Sequence, residues 1–404
     1  MSAGLPDPGA TEDSAPLHVA VVTERYDRNG GGNEKSTAEI VERLVALGCR
    51  VTVLAGACQD GAGPNGATLE RLKRKKSASV LRLLRFVWWA ERRLRLLRPD
   101  VSLSMSTAVR CHVLQPRGGT VKETQTRNIA MRASASKRLE KRVLLWTRPK
   151  QVALRALERR ALRWRGLRRV VAISGYVAEQ LGSGYGLGEG RVTEVRNAAA
   201  MPRLAADDRR RLRERVRTGW RVPEGAVVFV FAAHNFALKG GNTLLPALRK
   251  VVDAAEVPVV LAVAGPYDQN VLRQVARLEL RADVRFAGQT SQMPALYAAA
   301  DVTVLPTFYD PASKVVLESL MLGVPAITTR FNGAADWITP GIGDVLEDPA
   351  DADALAAAMR RWTEPARRVG VAQATADLGP RLSMDRHVTE LLTVLRAAAG
   401  TTRR

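Results

Sequence analysis

The sequence has few cysteines, few histidines and few aromatic residues. Its three cysteines form no C-x-x-C pair and are odd in number: Cys49, Cys58 and Cys111. This pattern argues against a disulfide framework and against a zinc site, and it is typical of proteins in a reducing cytosol. The four histidines are scattered along the chain and do not indicate a metal cluster. We therefore expect a cytoplasmic protein without a bound metal ion.

Long apolar runs are also absent. No stretch approaches the roughly 18 consecutive apolar residues of a membrane-spanning helix. Residues 1–16 are acidic and small, without the basic start and apolar run of a signal peptide. The sequence therefore predicts no membrane span, and we expect residues 1–16 to be a disordered leader.

Negative charge is in short supply. Lys and Arg number 62 against 40 Asp and Glu, which gives a formal net charge of +22 over 404 residues. Such an excess favours polyanionic partners, namely nucleic acid, acidic lipid or phosphorylated small molecules, although arginines spread over solvated surfaces give the same total. The length suits two α/β domains of roughly 150 to 200 residues each.

Alternating apolar runs and helical patterns predict two α/β halves. Expected strands of the first half are His18–Val22, Val51–Leu54, Val101–Met105 and Arg169–Ile173. Expected strands of the second half are Val227–Ala232, Val257–Ala264, Val284–Phe286, Val302–Leu305 and Ala326–Thr329. We expect domains at 17–199 and 225–380, a link at 200–224, and a C-terminal helix within 381–404 that packs back on the first domain.

An acidic pair marks the strongest candidate site. Asp310 follows an expected strand and precedes Pro311, a pattern that favours a helix starting there with Asp310 as its cap. Three backbone amides would then form an anion site at the positive end of the helix dipole: those of Ala312, Ser313 and Lys314. Glu318 follows about 12 Å further along such a helix. Two carboxylates so spaced suit the two ends of a nucleotide diphosphate sugar, because carboxylates accept hydrogen bonds from sugar hydroxyls.

This arrangement resembles the signature of glycosyltransferase family 4, an acidic residue followed by seven residues and then Glu. Asp310 stands where most members have Glu. The resemblance implies that Asp310 contacts the donor hexose as a catalytic residue and that Glu318 binds the ribose. The plainer alternative makes Asp310 only a helix cap and Glu318 a surface residue.

The segment from His234 to Gly241 carries a second match. Lys239 precedes a glycine just after the first expected strand of the second half, where the family places its Lys-Gly. The resemblance implies that Lys239 contacts the donor diphosphate and stabilises the charge that develops in the transition state. His234 stands where an Arg is common. The sequence of the segment is similar to that of the branch of lipopolysaccharide core heptose glucosyltransferases. A solvated loop lysine is the alternative.

Glycine-containing loops supply further candidates. Gly265 and Gly288 follow expected strands, and the resemblance implies that their loops line the nucleotide base. Gly31 and Gly32 lie between the first strand and the first helix, where glycines let the backbone approach a phosphate or sugar. Ordinary turns of an α/β fold remain the alternative for all four.

The acceptor side is marked by His112 and Arg117. The resemblance implies that a catalytic group lies in this region, so His112 is a candidate, with a purely structural histidine as the alternative. Arg117 stands where related sequences tend to have His before Gly-Gly; it cannot act as a base but suits a phosphorylated acceptor. Ala198 departs from the Asn-Gly that the family usually has.

Residues 71–98 interleave many arginines and lysines with Phe86, Trp88 and Trp89. This segment is expected to contact an anionic membrane surface. Two alternatives stay open: an ordinary amphipathic helix with its tryptophans in the core, and a nucleic-acid contact, which no recognisable motif accompanies.

The resemblance implies an α/β GT-B fold, with two Rossmann-like doubly wound domains facing each other across a cleft. It also implies transfer of a hexose, with glucose expected, from a nucleotide diphosphate sugar such as UDP-glucose to a lipopolysaccharide-type or other lipid-linked glycan, with retention and without a metal or other cofactor. Such an enzyme would lie on the inner face of the cytoplasmic membrane. A non-catalytic sugar-nucleotide or glycan-binding protein of the same fold is the alternative, and a nucleic-acid-binding module ranks below it.

Overall fold

The computed structural model describes residues 15–28, 30–58, 63–73, 79–188, 190–202, 204–290 and 292–400. The expected disordered leader, 1–16, falls outside these ranges except for its last two residues.

The first half forms a seven-stranded parallel sheet of order β3-β2-β1-β4-β5-β6-β7. Its strands are β1 (His18–Tyr26), β2 (Arg50–Cys58), β3 (Thr68–Arg71), β4 (Val101–Ser104), β5 (Val113–Leu114), β6 (Arg169–Ala172) and β7 (Val192–Glu194). Its helices are α1 (Gly32–Ala46), α2 (Ser79–Leu97), α3 (Val121–Ala130), α4 (Ala135–Thr147), α5 (Pro149–Leu162) and α6 (Gly175–Tyr185).

The second half forms a six-stranded parallel sheet of order β10-β9-β8-β11-β12-β13. Its strands are β8 (Val227–Ala232), β9 (Val259–Ala264), β10 (Val284–Gly288), β11 (Val302–Leu305), β12 (Ala326–Thr329) and β13 (Gly343–Leu346). Its helices are α7 (Ala206–Gly219), α8 (Gly241–Ala254), α9 (Gln269–Arg277), α10 (Met293–Ala299), α11 (Lys314–Met321), α12 (Ala352–Thr363), α13 (Pro365–Arg368), α14 (Val371–Ala374), α15 (Leu378–Arg381) and α16 (Met384–Gly400), with a 3-10 helix at Gly333–Trp337.

The central strands of the second sheet follow the expected bounds to the residue for β8, β11 and β12. All residues of these strands are buried, because helices cover both faces of a parallel sheet and select continuous apolar runs. Four strands were not expected: β3, β5, β7 and β13. They have two to four residues each, and the residues of all but β5 are mostly half-buried or exposed, so their sequences lack the apolar run that marks a central strand.

Residues 200–224, where we expected a link, contain helix α7. Arg213 and Arg217 of this helix each bind a different carboxylate oxygen of Asp301, at 2.6 Å. Because Asp301 directly precedes β11, these ion pairs hold α7 against the second sheet.

Helix α16 packs in the core of the first half, although it follows the whole second half in sequence. Val388, Leu391 and Leu395 are buried beside Val19 of β1 and Ile40 of α1. The N–O distance between Arg43 of α1 and Asp385 is 2.7 Å at the start of this helix. The last helix therefore crosses between the two sheets and completes the first one's apolar core.

Candidate active site

The candidate donor residues lie at the carboxyl edge of the second sheet. The chain order along this sheet reverses between β8 and β11, which are neighbours, and ligands of such sheets bind at that point. Lys239 lies in the loop after β8, and Asp310 lies in the loop after β11. The topology therefore brings these two loops together beside the switch point.

Lys239 and Asp310 form an ion pair in which the Lys239 ammonium donates to Asp310 Oδ2 at 2.6 Å. The ammonium also donates to the carbonyl of Tyr309 at 3.1 Å. Both side chains keep a small exposed fraction, 20% for Lys239 and 15% for Asp310. The pair is fixed by the fold but remains reachable by a ligand.

The expected helix start at Asp310 and Pro311 is wrong, because α11 begins at Lys314. Residue 310 instead pairs with Asn332 through its backbone: Asp310 N donates to the carbonyl of Phe331, and Gly333 N donates to the carbonyl of Asp310, both at 2.9 Å. This long-range pairing holds the segment extended. The Asp310 carboxylate is therefore not a helix cap.

Two of the three amides expected to bind an anion already have partners. Ala312 N donates to Asp310 Oδ1 at 3.2 Å, and Ser313 N donates to Asn332 Oδ1 at 3.1 Å. The Lys314 side chain donates to Glu39 of α1 at 3.0 Å, which joins the two halves. Burial lowers the pKa of Lys314. Two side-chain cations, Lys239 and Lys314, contribute to this region, and each forms an ion pair with a carboxylate.

Glu318 lies on α11 and is partly buried. The Tyr297 hydroxyl donates to its Oε2 at 3.0 Å. Burial raises the pKa of Glu318 to about 7, and the nearby Lys314 opposes that rise. The alternative of an ordinary surface carboxylate does not fit this environment.

The loops after β9 and β10 lie side by side, since Gly265 N donates to the carbonyl of Gly288 at 2.8 Å. Gly265 has φ of 120°, and a Cβ there would lie 1.9 Å from the carbonyl oxygen of Ala233. Tyr267 and Phe286 stack beside these loops with ring centroids 4.3 Å apart. This aromatic pair escaped the sequence analysis; the only signal was an aromatic residue two positions after Gly265.

His234 is exposed in the loop after β8, and within the described residues no hydrogen bond or ion pair joins it to Lys239 or Asp310. It lies two residues after β8 ends, on the same sheet edge as the ion pair. Its candidate role therefore rests on its place in the loop alone.

His112 lies at the wrong end of its sheet for a catalytic role in this cleft. It precedes β5, and its Nδ1 accepts from the amide of Ser102 near the start of β4, at 3.2 Å. The imidazole stacks on Trp164 with centroids 6.1 Å apart, and burial lowers its pKa to about 4. The carboxyl ends of the strands, where the donor residues lie, are the opposite edge. The structure thus favours a structural histidine.

Arg117 lies in the loop after β5, on the cleft side. It is 4% exposed, and its Nη2 donates to Asn197 Oδ1 at 2.8 Å. The Asn197 amide in turn donates to the carbonyl of Ala312 at 2.7 Å. Burial lowers the pKa of Arg117 to about 10. These bonds connect the first half directly to the loop that carries Asp310.

The glycine loop before α1 stands at the rim of the same region. Gly31 occupies the position before the first helical residue, Gly32, and has no side chain to cap the helix. Asn33, Glu34 and Thr37 of the following turn line a cavity of about 1470 Å³ that also reaches Arg117.

Tyr309 and Gly119 form a close contact between the halves that the sequence analysis missed. The Tyr309 hydroxyl donates to the carbonyl of Gly118 at 3.1 Å. Gly119 has φ of 70°, and a Cβ there would lie 1.8 Å from the Tyr309 hydroxyl oxygen. Only glycine fits. The signal was present in the Gly-Gly after Arg117, where the sequence analysis considered only the residue before it.

Neither a metal-binding cluster nor a membrane-spanning helix is present in the described part of the chain. Within the ranges that the structure describes, no three or more His, Cys, Asp and Glu side chains are grouped so that they could hold a metal ion. In the same ranges, no helix has the length and apolar character of a membrane span.

Each half of the chain matches a known glycosyltransferase family. Residues 30–199 match the family described as Glycosyltransferase Family 4, and residues 213–369 match Glycosyl transferases group 1. D-inositol 3-phosphate glycosyltransferase 2 of Catenulispora acidiphila is 28% identical over 198 residues, 45% of each chain. The lipopolysaccharide core biosynthesis glycosyltransferase LpsE of Rhizobium meliloti is 27% identical over 167 residues, 41% of this chain and 46% of that one. The chain spans about half the length of the curated relatives it matches.

Solved structures extend the likeness over nearly the whole chain. WaaG, a glycosyltransferase involved in lipopolysaccharide biosynthesis, superposes with a TM-score of 0.77 at 18% identity, covering 93% of this chain and 99% of WaaG. Anabaena Alr3699/HepE in complex with UDP and glucose superposes with a TM-score of 0.68 at 16% identity, covering 94% and 100%. The expected GT-B fold of two Rossmann-like domains is therefore confirmed.

Proposed function

This chain belongs to the glycosyltransferases that join a family 4 domain to a group 1 domain, and on that premise we propose that it is an active, retaining hexosyltransferase. The donor is a nucleotide diphosphate sugar, with UDP-glucose the first candidate. The acceptor is a lipopolysaccharide-type or other lipid-linked glycan. The observation that carries the proposal is the ion pair of Lys239 and Asp310 at the switch point, with Glu318 on the next helix.

Three features support a nucleotide sugar in this place. Lys239 offers a cation for the diphosphate, and Glu318 offers a carboxylate for ribose hydroxyls. The Tyr267 and Phe286 rings offer an apolar face for a base beside Gly265 and Gly288. A protein of the same fold, Anabaena Alr3699/HepE, has been solved in complex with UDP and glucose. This favours UDP-glucose as the donor to test first.

The reaction transfers a hexosyl group. The bond between the anomeric carbon and the diphosphate oxygen breaks, the acceptor hydroxyl oxygen bonds to that carbon on the same face, and the hydroxyl proton passes to the departing diphosphate. Negative charge grows on the diphosphate during this step, and Lys239 stabilises it from a fixed position. Asp310 holds the Lys239 ammonium in place through Oδ2. Its other carboxylate oxygen, Oδ1, accepts hydrogen bonds from the hexose hydroxyls.

The decisive test is transfer from radiolabelled UDP-glucose to a lipid-linked acceptor by the wild type and by Lys239→Ala and Glu318→Ala. Removing one preorganised cation from a developing charge lowers kcat by about 10² to 10³. Lys250→Ala is the matched control, because Lys250 lies on the exposed face of α8 in a surface ion pair with Asp353. Full activity of both site variants would disprove the site assignment.

A non-catalytic donor-binding protein is the second candidate. The observation that favours it is the position of His112, which leaves the described acceptor region with Arg117, a side chain that cannot act as a base. This candidate predicts UDP-glucose binding by calorimetry with neither transfer nor hydrolysis. Transfer to any acceptor would exclude it.

We further propose that the reaction needs no metal ion. The support for this is that Lys239 and Lys314 offer two ammonium groups, each held by a carboxylate partner, to a diphosphate bound beside the Asp310 loop. Transfer that persists in excess EDTA is the expected result, and full loss of transfer with recovery on adding Mg²⁺ or Mn²⁺ would contradict it.

The cytoplasmic face of an anionic membrane is the proposed location. Trp89 packs against the core and Phe86 is buried, so only part of segment 71–98 is available for contact. Seven large apolar side chains of α2 and α4 are exposed among basic residues: Leu81, Leu84, Trp88, Leu96, Leu139, Val143 and Trp146. Trp88→Ala with Trp146→Ala is expected to weaken sedimentation with phosphatidylglycerol vesicles while UDP affinity is retained. Equal sedimentation of wild type and variant would exclude this surface.

A further inference from the structure

A basic cavity of the first half is not used by the donor chemistry proposed above. Its volume is about 1470 Å³, and it lies where the carboxyl ends of β1, β2 and β4 meet the start of α1. Its cationic lining is Arg25, Arg71, Lys73, Arg82, Arg85 and Arg117. Its acidic lining is Glu24, Asp27 and Glu34. Six cations against three acids give the cavity an excess of positive charge.

Arg117 is the most deeply buried of these cations. Its Nη2 binds Asn197, while its Nε and Nη1 have no hydrogen-bond partner within the described part of the chain. The buried Gln115 Oε1 also lacks a partner there. A buried charged group with unsatisfied donors costs free energy unless an acceptor engages it. A ligand anion in the cavity would supply that acceptor.

The rim of the cavity is formed by α2. Arg82 and Arg85 lie three residues apart, on one face of this helix, and both line the cavity. Arg85 also donates to the backbone carbonyl of Lys73 at 3.5 Å. No ion pair within the described ranges holds Arg82 or Lys73, so their charges remain available to a ligand.

The cavity is connected to the donor loop by two hydrogen bonds. Arg117 binds Asn197 at 2.8 Å, and Asn197 binds the carbonyl of Ala312 at 2.7 Å, two residues after Asp310. The ion pair of Glu39 and Lys314 closes the same boundary from α1. A ligand held at Arg117 therefore lies next to the loop that would hold the donor hexose.

We infer that this cavity is the acceptor subsite and that it selects an acceptor carrying a phosphate group, bound by Arg117 at the floor and by Arg82 and Arg85 at the rim. The guanidinium fork matches phosphate oxygens in pairs, so three arginines suit a dianionic phosphate. The inference rests on the proposed function, because it names the acceptor class of that reaction. The phosphate belongs either to a sugar of the acceptor glycan or to the head group of the lipid that carries it.

The test is calorimetry on the full chain saturated with UDP. Glucose 6-phosphate is the soluble probe, and glucose is its neutral match. Phosphatidylcholine vesicles with and without phosphatidylinositol 4-phosphate are the lipid probe. At least one phosphorylated probe is expected to bind at least about tenfold more tightly than its neutral match, since a charged hydrogen bond is worth about that factor. Which probe binds distinguishes the two sources of the phosphate.

The variant Arg82→Gln/Arg85→Gln is expected to weaken binding of the phosphorylated probe at least about tenfold and to leave UDP affinity unchanged. Arg92→Gln/Arg95→Gln, on the same helix but outside the cavity lining, removes equal charge and is the matched control. Arg117→Gln is a second variant, expected to act like the first.

Three results would overturn the inference: no preference for either phosphorylated probe, equal losses in the cavity and control pairs, or no loss in either cavity variant. Failure of UDP itself to bind would instead count against the proposed function. A Lys239→Ala protein that loses UDP affinity but still binds the phosphorylated probe would separate the donor and acceptor sites.

Discussion

The two halves of the cleft balance their charges in opposite ways. On the donor side, each cation has an acid: Lys239 has Asp310, and Lys314 has Glu39. On the acceptor side, Arg117 is buried beside an amide and retains two nitrogens without partners among the described residues. A paired cation can bind a ligand and then return to its carboxylate partner when the ligand departs, so no charge is left unpaired. An unpartnered one is stable chiefly when its ligand is bound.

This difference matches what each half resembles. By the resemblance, the proposed donor loops keep the family pattern at Lys239 and Glu318, whereas the proposed acceptor loop departs from it at Arg117.

The donor-side pairing is tested by a double-mutant cycle on Lys239→Ala and Asp310→Asn. Each single change is expected to lower kcat by about 10² or more, because each disrupts a preorganised charge. The double variant is expected to have a kcat no lower than that of the less active single variant. The reason is that the effects of residues acting as one unit are not additive. The measurement is steady-state transfer from UDP-glucose. Multiplicative losses would show that the two residues act independently.

The contact between the halves is tested by Gly119→Ala. A Cβ at Gly119 would lie 1.8 Å from the Tyr309 hydroxyl, and φ of 70° disfavours alanine. We expect the free energy of unfolding to fall by about 2 to 4 kcal/mol in urea titrations. Gly118→Ala is the control, because nothing lies within 4 Å of its Cβ position. Tyr309→Phe added to Gly119→Ala should recover part of the loss, and no recovery would place the strain elsewhere.

The buried acid of the donor side is tested by Glu318→Gln. Because the folded-state pKa is raised from 4.5 to about 7, the native state holds this proton more tightly than the unfolded state does. Wild-type stability therefore falls as the pH rises from about 4.5 to about 7. The variant should be more stable than the wild type by on the order of 1 to 3 kcal/mol at pH 8, and nearly equal to it at about pH 5. The same difference at both pH values would contradict the assignment.

The smallest effect on activity is expected for His112→Gln. Loss of a general base costs about 10²-fold or more, whereas we expect kcat to stay near the wild-type value. The effect should appear in acid stability instead. With the folded-state pKa lowered from 6.5 to about 4, the unfolded wild type takes up this proton first, so stability is lost as the pH falls through that range. The variant should lose less stability than the wild type on acidification, as measured by thermal unfolding at each pH.

Part of the fold follows directly from the sequence. The strands β8, β11 and β12 were predicted to the residue, because a buried parallel strand needs an uninterrupted apolar run. The bounds of α11 were not predicted. Asp310 followed by Pro311 is a local pattern for a helix start, but the backbone at 310 pairs instead with Asn332, and no local pattern reveals a partner 22 residues away.

Part of the site also follows from the sequence, and the remainder depends on tertiary placement. Lys239 and Asp310 were chosen separately, yet their ion pair requires the adjacency of β8 and β11 in the sheet. His112 was misplaced because β5 has only two residues, which was too short to predict and decides which end of the sheet the histidine occupies. Arg117 was proposed as a ligand of a phosphorylated acceptor, but its unpartnered nitrogens depend on burial that only the fold provides.

The crossing of α16 has a consequence for how the molecule is made. Leu391 and Leu395 fill the core of a sheet whose first strand begins at His18. On the ribosome the chain emerges from its amino end, so the first sheet cannot close its core until α16 has been synthesised. The apolar core of the second half extends to Leu382, just before this helix, so the first half closes its core last.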